Sequence, residues 1–394
     1  MRYSFLILPA YGHVNPTLAI AQELVAHGQE VIYYLPEAFR EAVEATGAAI
    51  RSYESRLLKG IGKVPSQRGE VMREEMRQVL PQIMDRIRAD KPDVILHDPM
   101  VLWSRIVIQL LQVPAISLRP TYAMNEHFNM ASMLESRPNH HLPGMKEVVE
   151  KTNEVLAEIC ASYHVPPVSF MEEMMYAEPL NIVFLPKAFQ PEAQTFDERF
   201  LFVGPSIAPR RQASDFPLDQ LNYDRPLLYV SLGTIFNTES AFYKQCFEAF
   251  GESDYQVVLS HGKHIDLSAL GPIPENFLLS SYVPQLEILE RAKVFVTHSG
   301  MNSTMESLYY GVPMVAIPQM VEQEMTAQRI AEMGLGLALE KDAVTSAGLR
   351  AAVERVANDV TIHERVQQIK QYTRESGGYK LAAEAIMQFA WQSR

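Results

Sequence analysis

Cysteine is nearly absent from this chain: 394 residues hold two, Cys160 and Cys246. They lie far apart, in none of the spacings that hold zinc or run redox chemistry, which excludes a disulfide framework and leaves two buried thiols in a reducing compartment. No Asp-x-Asp pair occurs. His140-His141 and His261-x-x-His264 lack carboxylates at ligand spacing and are expected to be surface histidines, so no metal site is expected. Basic charge is short as well, 35 Lys and Arg against 47 Asp and Glu, for a net charge of −12. A nucleic-acid partner would require a basic surface. No apolar run approaches the roughly 20 residues of a membrane-spanning helix. The chain opens directly on an apolar strand, without the basic region and cleavage site of a secretory leader, so a cytoplasmic protein is expected. No Gly-x-Gly-x-x-Gly follows the first strand, which disfavours a nicotinamide cofactor.

What is present is concentrated between Tyr282 and Gln323. Val294-Phe-Val-Thr297 is a short β-branched run of the kind that forms a buried strand. It gives way to His298-Ser-Gly300, then to a helical stretch from Met301, and after Gly311 to a second apolar run ending at Pro318. This is a βαβ unit with its polar residues at the carboxyl end of the first strand, where open parallel sheets bind ligands and a helix N-terminus welcomes an anion. A diphosphate suits Ser299, Gly300, Asn302, Ser303 and Thr304, with His298 as a side-chain donor. Ser303-x-x-Glu306 is also a capping-box pattern, which would satisfy helix N–H groups without any ligand.

Strands and helices alternate through the rest of the chain, predicting an α/β protein with two Rossmann-like doubly wound sheets. The first half carries strand runs at Phe5–Leu8, Val31–Leu35, Pro92–Asp98, Val113–Leu118 and Asn181–Leu185, the last of which closes the half. Asn15 suits a helix N-cap and Pro16 a first helical residue, which places His13 in the loop after the first strand. A polar loop is expected around Lys59 to Arg68 and a helix from Glu70 to Ala89. The expected division is an N-terminal domain at 1–205, a linker at 206–224, a second domain at 225–376 and a terminal helix at 377–394.

The pattern Pro284-Gln285, His298-x-Gly300-x-Asn302-Ser303-x-x-Glu306, Gly311-Val-Pro313, Pro318-Gln319 and Glu322-Gln323 resembles the donor-sugar signature of the family 1 glycosyltransferases, and the bacterial macrolide-glycosyltransferase type in particular. The resemblance covers essentially the whole chain. It implies the GT-B fold, two facing domains with a cleft between them, and a last helix that crosses back onto the N-terminal domain. It also implies an enzyme that uses a nucleotide sugar, UDP-glucose, as co-substrate, with no bound cofactor and no metal, working as a monomer or weak dimer.

An inverting transfer needs an oxygen nucleophile relieved of its proton, and histidine titrates in the useful range. His13 is the candidate base and Asp98 the carboxylate that orients it, at ends of two strands of one predicted sheet. His97 alternates to the other face. The resemblance points to the same pair. It assigns Ser231, Gly233 and Thr234 to a second diphosphate turn, Tyr282, Val283 and Gln285 to the nucleobase side, Glu306 to the ribose, and Glu322 with Gln323 to the sugar. Ser299 stands where glycine is usual, and Glu322 where aspartate is common in plant members. A small hydrophobic acceptor is expected against Tyr11, Tyr122, Phe128, Met130, Met133, Met175 and Pro318, with Met171 and Met174 nearby, because methionine adapts to varied apolar shapes. For any one of these methionines a plain helical core is the better reading. Two rival functions share the fold: a nucleotide-sugar epimerase, and a nucleotide-sugar sensor without a catalytic base.

Overall fold

A computed structural model describes residues 1–57, 65–129, 145–208, 216–233, 240–262, 265 and 267–393. The chain forms two compact units, Met1–Ala208 with Ser376–Arg394, and Pro209–Glu375.

In the first unit β1 (Arg2–Leu6), β2 (Glu30–Leu35), β3 (Ala49–Ser52), β4 (Val94–His97), β5 (Ala115–Arg119), β6 (Asn181–Val183) and β7 (Phe200–Phe202) are interleaved with α1 (Tyr11–Ala26), α2 (Arg40–Glu44), α3 (Pro65–Asp90), α4 (Ser104–Leu111), α5 (Met145–Ser162) and α6 (Phe170–Met175). The seven strands pair in parallel in the order β3-β2-β1-β4-β5-β6-β7. Side-chain alternation along β1 builds two cores. Tyr3, Phe5 and Ile7 enter the layer shared with Val14, Ile20 and Leu24 of α1. Leu6 enters the opposite layer, with Val79, Ile83 and Ile87 of α3. Both faces are buried, as a parallel sheet requires.

The second unit repeats the scheme with β8 (Leu227–Ser231), β9 (Gln256–Ser260), β10 (Phe277–Ser280), β11 (Ala292–Thr297), β12 (Met314–Ala316) and β13 (Gly336–Ala338). Its helices are α7 (Ser240–Phe250), α8 (Gln285–Leu289), α9 (Met301–Tyr310), α10 (Val321–Glu332), α11 (Ser346–Asn358) and α12 (Val360–Glu375). Its parallel order is β10-β9-β8-β11-β12-β13. The final helix, α13 (Gly378–Gln392), belongs to the first unit. Its Ala382, Ala383, Ile386 and Ala390 join the core beside α1, the alanines allowing a close approach.

Several local expectations need correction. Helix α1 starts at Tyr11 with Ala10 as N-cap, so His13 lies in its first turn and Pro16 lies inside it. The N–H groups of His13 and Val14 both bond to the Ala10 carbonyl, which starts the helix early. Pro16, lacking an N–H, forfeits the bond to the Gly12 carbonyl. Helix α3 begins at Pro65, inside the stretch read as a loop; 58–64 lie outside the described residues. Strand β7 adds an edge beyond β6, where the sequence suggested the half had closed.

Candidate active site

The two sheets place their polar residues by one rule. Ligands bind where the strand order reverses, outside the carboxyl ends of the strands. In the first unit that point is between β1 and β4, and the chain leaving each strand contributes one residue. His13 Nδ1 lies 2.5 Å from Asp98 Oδ2. The Asp98 N–H bonds to the Leu6 carbonyl at 3.0 Å, joining the two strand ends, and its Oδ1 accepts the Met100 N–H at 2.9 Å. The carboxylate is buried, whereas the imidazole keeps 16% of its surface. With Nδ1–H donated to Asp98, Nε2 carries the lone pair a general base needs.

His97 turns the opposite way. Its Nδ1 is 3.0 Å from Ser104 Oγ and its Nε2 3.0 Å from Glu178 Oε1. Arg105 pairs with Glu173 at 2.9 Å and Glu178 at 2.7 Å, while Arg119 donates to the carbonyls of Met174 and Tyr176 at the end of α6. All of these charged groups are buried. Burial would raise the Glu178 carboxyl, but His97 and Arg105 outweigh it and hold it below the usual range. Burial also pulls the Arg119 guanidinium down to about 10, against the opposing fields of Glu173, Asp98 and Glu178. Sequence reading missed this cluster, although an arginine ending the apolar run Ala115–Arg119 was a usable signal.

In the second unit the reversal lies between β8 and β11. Gly233 follows β8 with φ of 80°, and a Cβ there would stand 2.6 Å from His298 Nε2. A Cβ on Gly300 would stand 2.5 Å from the same atom. A side chain at either glycine would therefore force the imidazole between them to shift. Burial pushes His298 down to about 4, with a Ser231 backbone group partly opposing, so the ring is neutral at pH 7. Helix α9 is N-capped by Gly300 with no side-chain cap bond, which leaves its first N–H groups for an anion. Ser303 is thus not a cap. Its Oγ accepts from Gln285 Nε2 at 3.2 Å, and Glu306 accepts from Gln285 at 2.6 Å and Asn302 at 3.2 Å. Tyr229 completes the chain by donating to Gln285 Oε1 at 3.0 Å.

Ser299 departs from its expected place among direct ligand contacts. It is fully buried at φ 58°, and its Oγ lies 2.6 Å from the His298 carbonyl and 2.9 Å from that of Gln323. Ser231 is buried at the end of β8, its Oγ accepting the Gly233 N–H at 3.3 Å. Tyr282 is half exposed and Val283 is buried, so only the main chain of Val283 is left to a ligand. Glu322 and Gln323 sit in the first turn of α10, Glu322 exposed and Gln323 accepting the Gln319 N–H at 2.8 Å. Pro318 is partly buried in the turn between β12 and α10.

On the acceptor side Tyr11 is half exposed on α1, its ring 5.1 Å from that of Phe39. Tyr122 is buried: it stacks on Phe189 at 6.0 Å and meets the edge of Phe128 at 5.7 Å. Met174 is likewise core, and Met171 and Met175 flank it half-buried on α6. His261 is buried too, its N–H bonded to the Ser280 carbonyl, and so is not the surface histidine its spacing suggested. Thr234, Met130, Met133, His140, His141 and His264 lie outside the described residues. Among the described residues no cluster of His, Cys, Asp and Glu suits a metal ion, and no helix is long and apolar enough to cross a membrane.

Comparison with known proteins gives this geometry a family. Residues 244–376 match the erythromycin biosynthesis protein CIII-like C-terminal domain. NDP-glycosyltransferase YjiC of Bacillus licheniformis is 41% identical over 392 residues, with 97% of this chain and 96% of that protein covered. Demethyllactenocin mycarosyltransferase of Streptomyces fradiae is 34% identical over 97% of this chain and 85% of its own. The crystal structure of the calicheamicin glycosyltransferase CalG4 superposes with a TM-score of 0.84 at 32% identity, covering 99% of this chain and 98% of that one. The chain therefore belongs to the nucleotide-sugar-dependent GT-B glycosyltransferases of family 1, of the macrolide-glycosyltransferase type.

Proposed function

We propose that this enzyme transfers glucose from UDP-glucose, with inversion and without a metal, to a hydroxyl of a small hydrophobic acceptor such as a phenolic, flavonoid, terpenoid or macrolide. The observation that carries the reading is the bond between His13 and Asp98 at the reversal point of the first sheet. In this reading His13 Nε2 takes the acceptor proton as the oxygen attacks the anomeric carbon. Asp98 holds the ring in the required tautomer and stabilises the imidazolium that forms. The bond from the anomeric carbon to the diphosphate oxygen breaks, and UDP leaves with the negative charge. The N-terminus of α9 and His298 stabilise that charge, the task a divalent cation performs in other transferases. Glu306, already oriented by Gln285 and Asn302, is assigned to the ribose hydroxyls, and Glu322 with Gln323 to the sugar. The relatives' names support a nucleoside diphosphate donor and natural-product acceptors. The reaction belongs in the reducing cytoplasm that suits two buried thiols.

Mass spectrometry of a phenolic acceptor panel incubated with UDP-glucose and EDTA tests this directly. A hexose mass increment on the acceptor is the expected result. Conversion of the donor to another hexose without acceptor would establish the epimerase instead, and UDP binding with no turnover the sensor.

A further inference from the structure

The loop after β11 holds a residue whose conformation and contacts are costly together. Ser299 occupies the left-handed region at φ 58°, which L side chains adopt reluctantly, and glycine would fit there without strain. Such conformations persist where surrounding contacts over-determine them, and they cluster at functional sites. Here the contacts are explicit. The Ser299 side chain is fully buried, and its N–H donates to Thr297 Oγ1 at 3.1 Å. Its one hydroxyl proton is shared between the His298 carbonyl at 2.6 Å and the Gln323 carbonyl at 2.9 Å. Gln323 is in the first turn of α10, and its own side chain accepts the Gln319 N–H, closing the turn that leaves β12. The Ile317 N–H bonds to the Thr297 carbonyl at 2.7 Å. Two adjacent crossings are thereby tied at two points, one through backbone and one through the Ser299 hydroxyl.

We propose that Ser299 is a positioning residue for donor-sugar selection. Its hydroxyl fixes the first turn of α10, and with it Glu322 and Gln323, against the diphosphate loop carrying His298. The inference rests on the donor reading above. Glu322 is exposed and carries one methylene more than aspartate, so its carboxylate has more conformations to lose. An anchored backbone beneath it narrows the positions that carboxylate can reach. Discrimination between sugars that differ at one hydroxyl depends on such fixed polar partners. Loss of the tie frees the turn without touching the N–H groups that hold the diphosphate.

Ser299→Ala keeps the strained φ and removes the hydroxyl, whereas Ser299→Gly removes both. The test measures kcat and KM with UDP-glucose and UDP-galactose for wild type and both variants, together with UDP affinity by calorimetry and melting temperature. Expected is a fall of roughly tenfold in the preference for UDP-glucose in both variants, with UDP affinity held within about twofold. An unchanged preference in both variants overturns the inference. So does a change confined to Ser299→Gly, which would make backbone strain the determinant, and so does joint loss of preference and UDP affinity, which would make Ser299 a support of the diphosphate loop alone. Wild-type protein that binds UDP but transfers from neither sugar overturns the hexose assignment itself, a failure visible before any variant is made.

Discussion

His13 and Asp98 lie 85 residues apart in the chain and 2.5 Å apart in space. The contact follows from topology: β1 and β4 are neighbours, and each residue leaves the carboxyl end of its strand. Asp98 has little freedom, since its second oxygen is held by the Met100 N–H. His13→Ala is expected to lower kcat by about 10²- to 10⁴-fold, the usual contribution of a positioned base. UDP affinity by calorimetry should be unchanged, because the residues proposed to hold the nucleotide belong to the other unit. Full activity in this variant would remove His13 from the mechanism.

Asp98→Asn preserves volume but offers His13 an amide that can bind either tautomer of the ring. Turnover should fall by on the order of 10²- to 10⁴-fold, with a smaller change in KM, as when a buried carboxylate partner of a catalytic histidine is replaced. Steady-state kinetics beside a thermal melt separate this from unfolding.

Gly300→Ala would place a methyl group 2.5 Å from His298 Nε2, and Gly233→Ala one at 2.6 Å. The imidazole must move in either case. A rise in donor KM of roughly tenfold or more is expected, the range for losing a charge-assisted donor. Acceptor KM should stay near its wild-type value, and initial rates at varied donor and acceptor concentrations report both. Gly233→Ala should also melt at lower temperature, because its φ of 80° suits glycine alone.

Burial holds His298 at about 4, below the ordinary 6.5. The unfolded chain therefore binds a proton between pH 6.5 and 4 that the folded chain does not, so this residue's contribution to stability is intact above pH 6.5 and is lost as pH falls towards 4. The magnitude is on the order of 2 kcal/mol, allowing for solvent reaching the half-buried ring. His298→Gln should flatten the melting temperature across this window. An identical pH profile in the variant would assign the acid sensitivity to other groups.

The proposed mechanism leaves the departing diphosphate to the helix terminus and His298. Transfer rates in EDTA and in added magnesium are expected to agree, and a rate restored only by a divalent cation would show that the helix terminus and His298 do not suffice for the leaving diphosphate.

The sheets were readable because buried parallel strands leave short β-branched runs: Val294-Phe-Val-Thr297 announces β11, and Asn181-Ile-Val183 announces β6. Short or amphipathic strands such as β3 and β7 escaped, having too few residues for a pattern. The start of α1 was misplaced because Asn15-Pro16 is a sound local signal, overridden by the Ala10 carbonyl that accepts two N–H groups at once. Ser303-x-x-Glu306 failed as a capping box for a similar reason. Gly300 already caps α9, and Glu306 is drawn to Gln285, a residue 21 positions away.

By itself the sequence determined what depends on local pattern: two α/β halves, a helix starting just after the β11 strand, and Asp98 at the end of β4. Tertiary structure decided everything that depends on which side chains meet across distant segments. It buried Tyr122 and His261, set the hydroxyl of Ser299 between the His298 and Gln323 carbonyls, and wrapped Gly233 and Gly300 around His298. The physical reason is that periodicity and propensity act over a few residues, whereas packing joins residues tens of positions apart through the order of strands in a sheet.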